Sequence, residues 1–336
     1  MIHKILAGLY DQVSLSEQAA YEAIKSVVLP GCPETQAAAF LSAYIMRKPG
    51  IEELKGFRKA MMELCLPLDL SHAPEAIDIV GTGGDGKNSF NISTLAAIVT
   101  AAAGGMVIKH GNYGASSACG SSDVLTYLGY RFSNDTSHLQ AQIDRCNICF
   151  LHAPLFHPAM KQMAAVRKSL GARSFFNLLG PLINPAQPAA CLLGVNSLET
   201  ARIYQYLLQA DGPKHMIIHS LDGYDEVSLT SPCKIITAQA EQLLTPGELG
   251  YAVITGKDID GGNSVKEAAA IFINVLQGRG TQAQAAVVAV NSGLALQLLR
   301  PGAALSETIA LADATIRSGK AYHLFTQLIQ HSNGQA

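Results

Sequence analysis

The stretch 81-GTGGDGKNSFNIST-94 follows the β-type run 77-IDIV-80 and decides how the rest of the chain is read. In parallel α/β sheets, ligands bind beyond the carboxyl ends of the strands, and a glycine turn between a strand and the next helix is the usual phosphate cradle. Glycines let backbone N–H groups approach anionic oxygens with no Cβ in the way, and residues 91–94 stand where the next helix presents the positive end of its dipole. Two phosphate-loop patterns overlap here. Gly81, Gly83 and Gly86 fit G-x-G-x-x-G, while Gly81, Gly86 and Lys87 fit all but the last position of G-x-x-x-x-G-K-[ST]. Each fails where it matters. A dinucleotide site needs an acidic residue roughly 20 positions on, and the second strand ends instead in Lys109-His110; a P-loop needs Ser or Thr after the lysine, and that position is Asn88.

The second strand repeats the device. In 109-KHGNYGASSACGSSD-123 a strand end is followed by Gly111, Gly114 and Gly120 and by Ser116, Ser117, Ser121 and Ser122, ahead of a helix start rich in serine. A cation at Lys109 suits a second phosphate rather than a ribose diol. Two adjacent anion loops facing one crevice fit a ligand with separated phosphates, such as a pyrophosphate plus a monophosphate. Glycines cost backbone entropy without adding core, so a purely structural use of both loops has little to recommend it.

Around these loops the chain divides in two. Up to about residue 70 the pattern is helical: a capping box at Ser14–Glu17 leads a helix carrying Ala20, Ala23, Ile24 and Val27, a second covers 35–47, and a third carries Ile51, Leu54, Phe57, Met61 and Leu64 on one face. After Ser71, short runs at 77–80, 106–109, 148–151, 191–195 and 216–220 alternate with helical segments at 95–103, 122–128 and 199–209. That alternation predicts a mainly parallel sheet flanked by helices. The tail from 265 to 330 returns to helices. The expected organisation is a helical domain over 1–72 and a large α/β domain over 73–336.

Composition narrows the classes of function. The chain has 336 residues, 49% hydrophobic and 15% charged, with a formal net charge of −2 and no dense Lys/Arg run, which argues against a nucleic-acid binder working through phosphate neutralisation. The apolar segment 95–108 is too short to cross a bilayer and contains Gly104 and Gly105. The N-terminus makes a poor signal peptide, and seven cysteines, an odd number, suit reduced thiols in the cytoplasm. The C-x-x-C pair Cys146 and Cys149 has no second ligand pair at zinc spacing and runs into a strand-like segment, so it reads as core.

With both loops read, the sequence resembles the anthranilate phosphoribosyltransferase family, which joins anthranilate to phosphoribosyl pyrophosphate (PRPP) in tryptophan biosynthesis. The resemblance spans nearly the whole chain and rests on GTGGDG (81–86), NIST (91–94), KHGN (109–112), the serine loop to Asp123, VRKSLGARSFFNLLGPLINP (166–185) and DGYDEVSL (222–229). It implies a nucleoside phosphorylase-like or phosphoribosyltransferase-like fold and a homodimer formed through the helical domain. It further implies that PRPP is bound by Gly81, Gly84, Asp85, Ser89, Asn91, Ile92, Ser93, Thr94, Lys109, His110, Gly111, Asn112, Tyr113, Gly114, Ala115, Ser116, Ser117 and Ser121. Mg²⁺, two ions per subunit, would be held by Ser93, Asp225 and Glu226, which are hard oxygen ligands of the kind this ion prefers beside substrate phosphates. Anthranilate would be held by Arg167, Asn112 and the backbone around Gly81, with His157 and the Gly180-Pro181 turn at its entrance. An arginine can meet the carboxylate bidentately, which a lysine cannot. Arg173 is a rival for that role. Arg167, Asn112, Asp225 and Glu226 are therefore the residues expected to carry the reaction.

The chain departs from the family pattern at three places. Tyr113 stands where Arg is common, Ala118-Cys119 where Lys-Ser is frequent, and Phe156 where Tyr is frequent. Two cations near the pyrophosphate are absent as a result. The competing readings are a pyrimidine nucleoside phosphorylase and a non-catalytic relative that binds nucleic acid. The first matches the loop 81–94 poorly, and the second is at odds with the retained Ser93, Asp225 and Glu226 and with the negative net charge. Association with an anthranilate synthase is left open by the sequence.

Overall fold

The computed structural model describes residues 2–114, 119–209 and 212–334. In chain order its elements are α1 (Ile2–Tyr10), α2 (Glu17–Val28), α3 (Glu34–Arg47), α4 (Ile51–Glu63), β1 (Ile77–Gly81), α5 (Ile92–Ala102), β2 (Val107–Gly111), α6 (Ser121–Tyr127), α7 (Thr136–Cys146), β3 (Ile148–His152), α8 (Ala153–Phe156), α9 (Pro158–Leu170) and α10 (Phe176–Leu179). There follow β4 (Ala190–Gly194), α11 (Leu198–Leu208), β5 (Lys214–Ser220), β6 (Cys233–Thr237), β7 (Glu241–Leu244), α12 (Val265–Leu276), α13 (Gln282–Leu299), α14 (Leu305–Arg317) and α15 (Lys320–Ser332).

The chain forms two compact units, one of residues Met1–Leu68 and Ala153–Pro185, the other of Asp69–His152 and Ala186–Ala336. This departs from a single boundary at 72/73. The excursion 153–185 joins the helical unit because its aromatic residues are built into that core: Phe175 lies 4.5 Å from Phe57, 5.5 Å from Tyr44 and 6.1 Å from Phe40, ring centre to ring centre. The sequence before and after the excursion is α/β in texture, so nothing local marks the switch.

In the helical unit, α2 and α4 pack so closely that a Cβ on Gly56 would lie 2.3 Å from the Glu17 carbonyl oxygen. The α2 cap is Ser16, whose hydroxyl accepts from Ala19 N at 3.3 Å, rather than Ser14 as the capping-box pattern suggests. Glu53, 1% exposed, is the polar centre of this unit. Its carboxylate accepts from Leu15 N (2.9 Å), Gly50 N (2.7 Å) and the Tyr44 hydroxyl (2.9 Å), and pairs with Arg47 through both guanidinium nitrogens.

The α/β unit is organised on a seven-stranded sheet in the order β3-β2-β1-β4-β5-β6-β7. Pairings from β3 through β5 are parallel, as the strand-helix alternation predicts, and all five anticipated strands are present. Two strands at one edge, β6 and β7, are antiparallel and were not anticipated. The helix α5 is buried along nearly its whole length, and α13 presents an unbroken buried run from Ala286 to Leu296. By length and composition alone α13 could cross a membrane, but here it packs against α14 and α5 in the core. Among the described residues every cysteine is a free thiol, and Cys146 and Cys149 are buried, consistent with core packing.

Candidate active site

The site grows from the carboxyl ends of β1 and β4. Gly81 and Gly194 are register partners there, and Asp225 passes directly over both. A Cβ on Gly81 would lie 2.4 Å from the Asp225 carboxylate, and one on Gly194 would lie 1.6 Å from the Asp225 carbonyl oxygen. Real Cβ contacts do not approach so closely, so both positions admit only glycine while Asp225 stays where it is. Beyond β1 the chain turns through Gly83, Gly84 and Gly86, all at positive φ of 63°, 71° and 73°, a region open to glycine at no steric cost. Gly83 N donates to Asp225 Oδ2 at 2.6 Å, and Asp85 Oδ1 accepts from Lys87 N at 3.0 Å. The far half of the loop is strapped to 259–262: Phe90 N donates to Ile259 O (3.1 Å), Gly261 N to Asn88 O (2.6 Å), and Ser89 bridges to Asp260.

The two glycine loops meet. Asn91 Nδ2 donates to Cys119 O at 3.2 Å, and Lys109, 2% exposed at the end of β2, donates from Nζ to Ile79 O and reaches Ser93 Oγ at 3.5 Å. Burial pulls the Lys109 ammonium below its ordinary pKa, while Asp78, Glu226 and Asp225 pull it back toward the charged form. In the second loop Asn112 O accepts from Ser122 N and from Ser121 Oγ, each at 3.2 Å, and Asp123 Oδ2 accepts from Gly114 N and Gly120 N, each at 2.8 Å. Tyr113 is half exposed and packs edge-on against His152, ring centres 4.6 Å apart. Of the expected PRPP ligands, Ala115, Ser116 and Ser117 lie outside the described residues.

Glu226 accepts from Ser93 N at the start of α5 at 2.8 Å, which brings together Ser93, Asp225 and Glu226. Both carboxyls are buried. Burial, and then the charge of Asp85, pushes the Asp225 carboxyl up to about 7; burial and the neighbouring Asp225 raise Glu226, against the Ser93 N–H and Lys109. Among the described residues no three or more His, Cys, Asp or Glu side chains form a ready-made metal cage. The donor set still fits Mg²⁺: two carboxylates and a hydroxyl are hard oxygen donors, this ion commonly takes few protein ligands plus substrate phosphates, and a cation would relieve the strain on the buried acids.

The expected anthranilate residues Arg167, His157, Gly180 and Pro181 belong to the helical unit. Arg167 lies in the last turn of α9, half-buried, its guanidinium 5.3 Å from the Phe176 ring centre, and burial lowers its pKa. Arg173 falls beyond the end of α9. His157 precedes Pro158 at the start of α9, with Nε2 3.0 Å from Ile183 O and its pKa pushed down to about 4 by burial. Gly180 and Pro181 form a 3₁₀ turn, 180–182. Phe156 is fully buried in the same unit.

Sequence reasoning missed two residues that shape the site. Gly194 sits in an apolar run with no loop signal, and Asn291 lies inside the apolar helix α13, where its side chain reaches the Val227 backbone.

These features define a class, the glycosyl transferases: residues 2–65 match the family's helical bundle domain and residues 73–322 its a/b domain. Relatives from Cytophaga hutchinsonii (47% identical, spanning 97% of this chain and 99% of the relative) and Christiangramia forsetii (48%, 97% and 98%) are both named anthranilate phosphoribosyltransferase. The crystal structure of the Thermus thermophilus anthranilate phosphoribosyltransferase matches with a TM-score of 0.90 at 35% identity, over 98% of this chain and 99% of its own. The Saccharomyces cerevisiae enzyme in complex with PRPP and Mg matches with a TM-score of 0.90 at 27% identity, over 99% and 98%. The chain belongs to the anthranilate phosphoribosyltransferase family.

Proposed function

We propose that the two glycine loops of the α/β unit hold PRPP while its phosphoribosyl group passes to the amine of anthranilate, giving N-(5-phosphoribosyl)anthranilate and pyrophosphate. The observation that carries the reading is the meeting of the loops at Lys109, Ser93 and Asn91, beside Asp225 and Glu226. Relatives sharing 41–48% identity bear the name of this activity, which selects it over a nucleoside phosphorylase or a nucleic-acid binder.

In the proposed site Ser93, Asp225 and Glu226 would hold Mg²⁺, two ions per subunit, which would neutralise charge on the departing pyrophosphate. The remaining tasks fall to the chain itself. Backbone N–H groups of the first loop, the α5 N-terminus and the Lys109 ammonium give the phosphates fixed positive potential in a partly dry site, where it is worth more than in water. From the resemblance, Arg167 would take the anthranilate carboxylate, and Asn112 is proposed to orient the amine for attack on the anomeric carbon. The new C–N bond forms as the C–O bond to pyrophosphate breaks through an oxocarbenium-like state, and the nitrogen then gives up one proton to the released pyrophosphate or to water.

The helical unit is the proposed homodimer surface, supported by the large apolar side chains Tyr10, Val13, Leu29 and Met46 that it leaves exposed. A cytoplasmic location is supported by the free thiols. The activity is tested by following loss of anthranilate fluorescence with PRPP and Mg²⁺ together and with each omitted. Loss that requires both supports the reading, and an unchanged signal with both present overturns it. Light scattering of the purified chain tests the dimer.

A further inference from the structure

The turn bearing Asp225 and Glu226 is held from two sides of one peptide bond. Ser220 Oγ, at the end of β5, donates to the Glu226 carbonyl oxygen at 2.7 Å, and the N–H of the same peptide, on Val227, donates to Asn291 Oδ1 at 3.1 Å. Asn291 Nδ2 then donates to Val227 O at 2.9 Å and to Val287 O at 2.9 Å. The amide thus grips both backbone groups of Val227 and uses both its protons, a pattern that neither Asp, which has no proton to give, nor Leu can reproduce. Two residues on, Leu229 is buried at φ 60°, a left-handed conformation that a bulky residue holds only where its surroundings dictate it.

Asn291 is 2% exposed and stands, with its neighbour Ser292, as the polar part of the buried run of α13. A buried amide adds no core and is tolerated only when its hydrogen bonds are made, so its presence there calls for a purpose outside helix packing. Its partners supply one. The peptide it fixes joins Glu226 to Val227, directly adjoining the two carboxylates. Those carboxylates lie where the site needs them: Asp225 Oδ2 against Gly83 N and Glu226 Oε1 against Ser93 N.

We propose that Asn291 is a positioning residue for the divalent-cation site: with Ser220 it locks the Glu226–Val227 peptide and so aims Asp225 and Glu226 at the Mg²⁺ that accompanies PRPP. This rests on the reading of Asp225 and Glu226 as Mg²⁺ ligands. Groups behind a metal's own ligands, when removed, typically cost about 10- to 100-fold in metal affinity or activity, and that is the effect expected here.

The test uses the full-length chain with Asn291→Asp, which keeps the shape and the acceptor but loses both donors, and Ser220→Ala, which frees the opposite end of the same peptide. Glu226→Gln serves as the ligand control. Two quantities are measured: the Mg²⁺ concentration giving half-maximal turnover, and Mn²⁺ binding in the presence of PRPP by electron paramagnetic resonance, which needs no catalysis. The expected result for either variant is a rise of about 10-fold or more in the half-maximal Mg²⁺ concentration and in the Mn²⁺ dissociation constant, with KM for anthranilate changed less than about twofold. If Asn291→Asp does not fold, Ser220→Ala alone decides. Wild-type metal dependence and Mn²⁺ binding in the folded variants, with Glu226→Gln shifted, overturns the role of Asn291. Wild-type behaviour of Glu226→Gln as well overturns the ligand reading and this inference with it.

Discussion

Each unit buries carboxylates, and the two centres are built in opposite ways. In the helical unit Glu53 is surrounded by donors: two backbone N–H groups, a tyrosine hydroxyl and a paired arginine. Burial pushes its carboxyl up, but Arg47, Leu15, Gly50 and Tyr44 outweigh that and leave it below the usual carboxylate range. In the α/β unit burial dominates and raises Asp85, Asp225 and Glu226; Asp85 adds to the rise of Asp225, and Asp225 and Asp85 add to that of Glu226. A fold completes the first centre with its own hydrogen bonds. The second keeps acids whose charged forms burial disfavours, which supports the proposed reading of it as a cation-binding site.

The strongest way to break this contrast is at Glu53. Glu53→Ala leaves Arg47 buried without its partner and is expected to cost about 3–5 kcal/mol in urea unfolding, with the Mg²⁺ dependence of whatever activity survives unchanged. Next comes the double change Asp225→Asn with Glu226→Gln. Turnover should fall about 100-fold or more while KM for anthranilate holds, and the melting temperature without Mg²⁺ should hold or rise, because strained charges are removed. Unchanged turnover at saturating Mg²⁺ would take these residues out of the reaction.

Gly194→Ala comes third. Its new Cβ would displace Asp225, at about 1–3 kcal/mol of strain, and the effect should show as weaker Mg²⁺ activation more than as lost helical stability. Acid titration sharpens the contrast further. Because the folded-state pKa of Glu53 is lowered, the unfolded chain binds the extra proton, so the stabilisation from Glu53 is present above about 4.5 and is lost as pH falls through the folded value. Glu53→Gln should therefore flatten the acid limb of a stability–pH curve. Asp225 acts with the reverse sign, disfavouring the fold as pH rises from 3.8 toward about 7. The smallest effect is expected from Tyr113→Arg, which restores a cation at a half-exposed position and should lower KM for PRPP by a few-fold, about 1 kcal/mol or less.

Much of the α/β unit was legible because its signals are local. A glycine turn after an apolar run, or a serine-rich start to a helix, is written within a dozen residues, and the five parallel strands and both loops were found that way. The edge strand β7 is hard to read because three of its four residues are exposed and it lacks the apolar run that marks a core strand. That the excursion 153–185 packs with the helical unit is not written locally, because it depends on aromatic contacts with residues more than a hundred positions earlier.

By itself the sequence determined the chemistry available: two anion-binding turns, an Asp-Glu pair and an arginine in a recognisable order. Tertiary structure alone decided which of these groups meet and under what strain. Gly194 and Asn291 show why. One matters for the absence of a side chain beneath Asp225, the other for an amide that reaches a peptide 64 residues away, and neither relation exists until the sheet and α13 have packed.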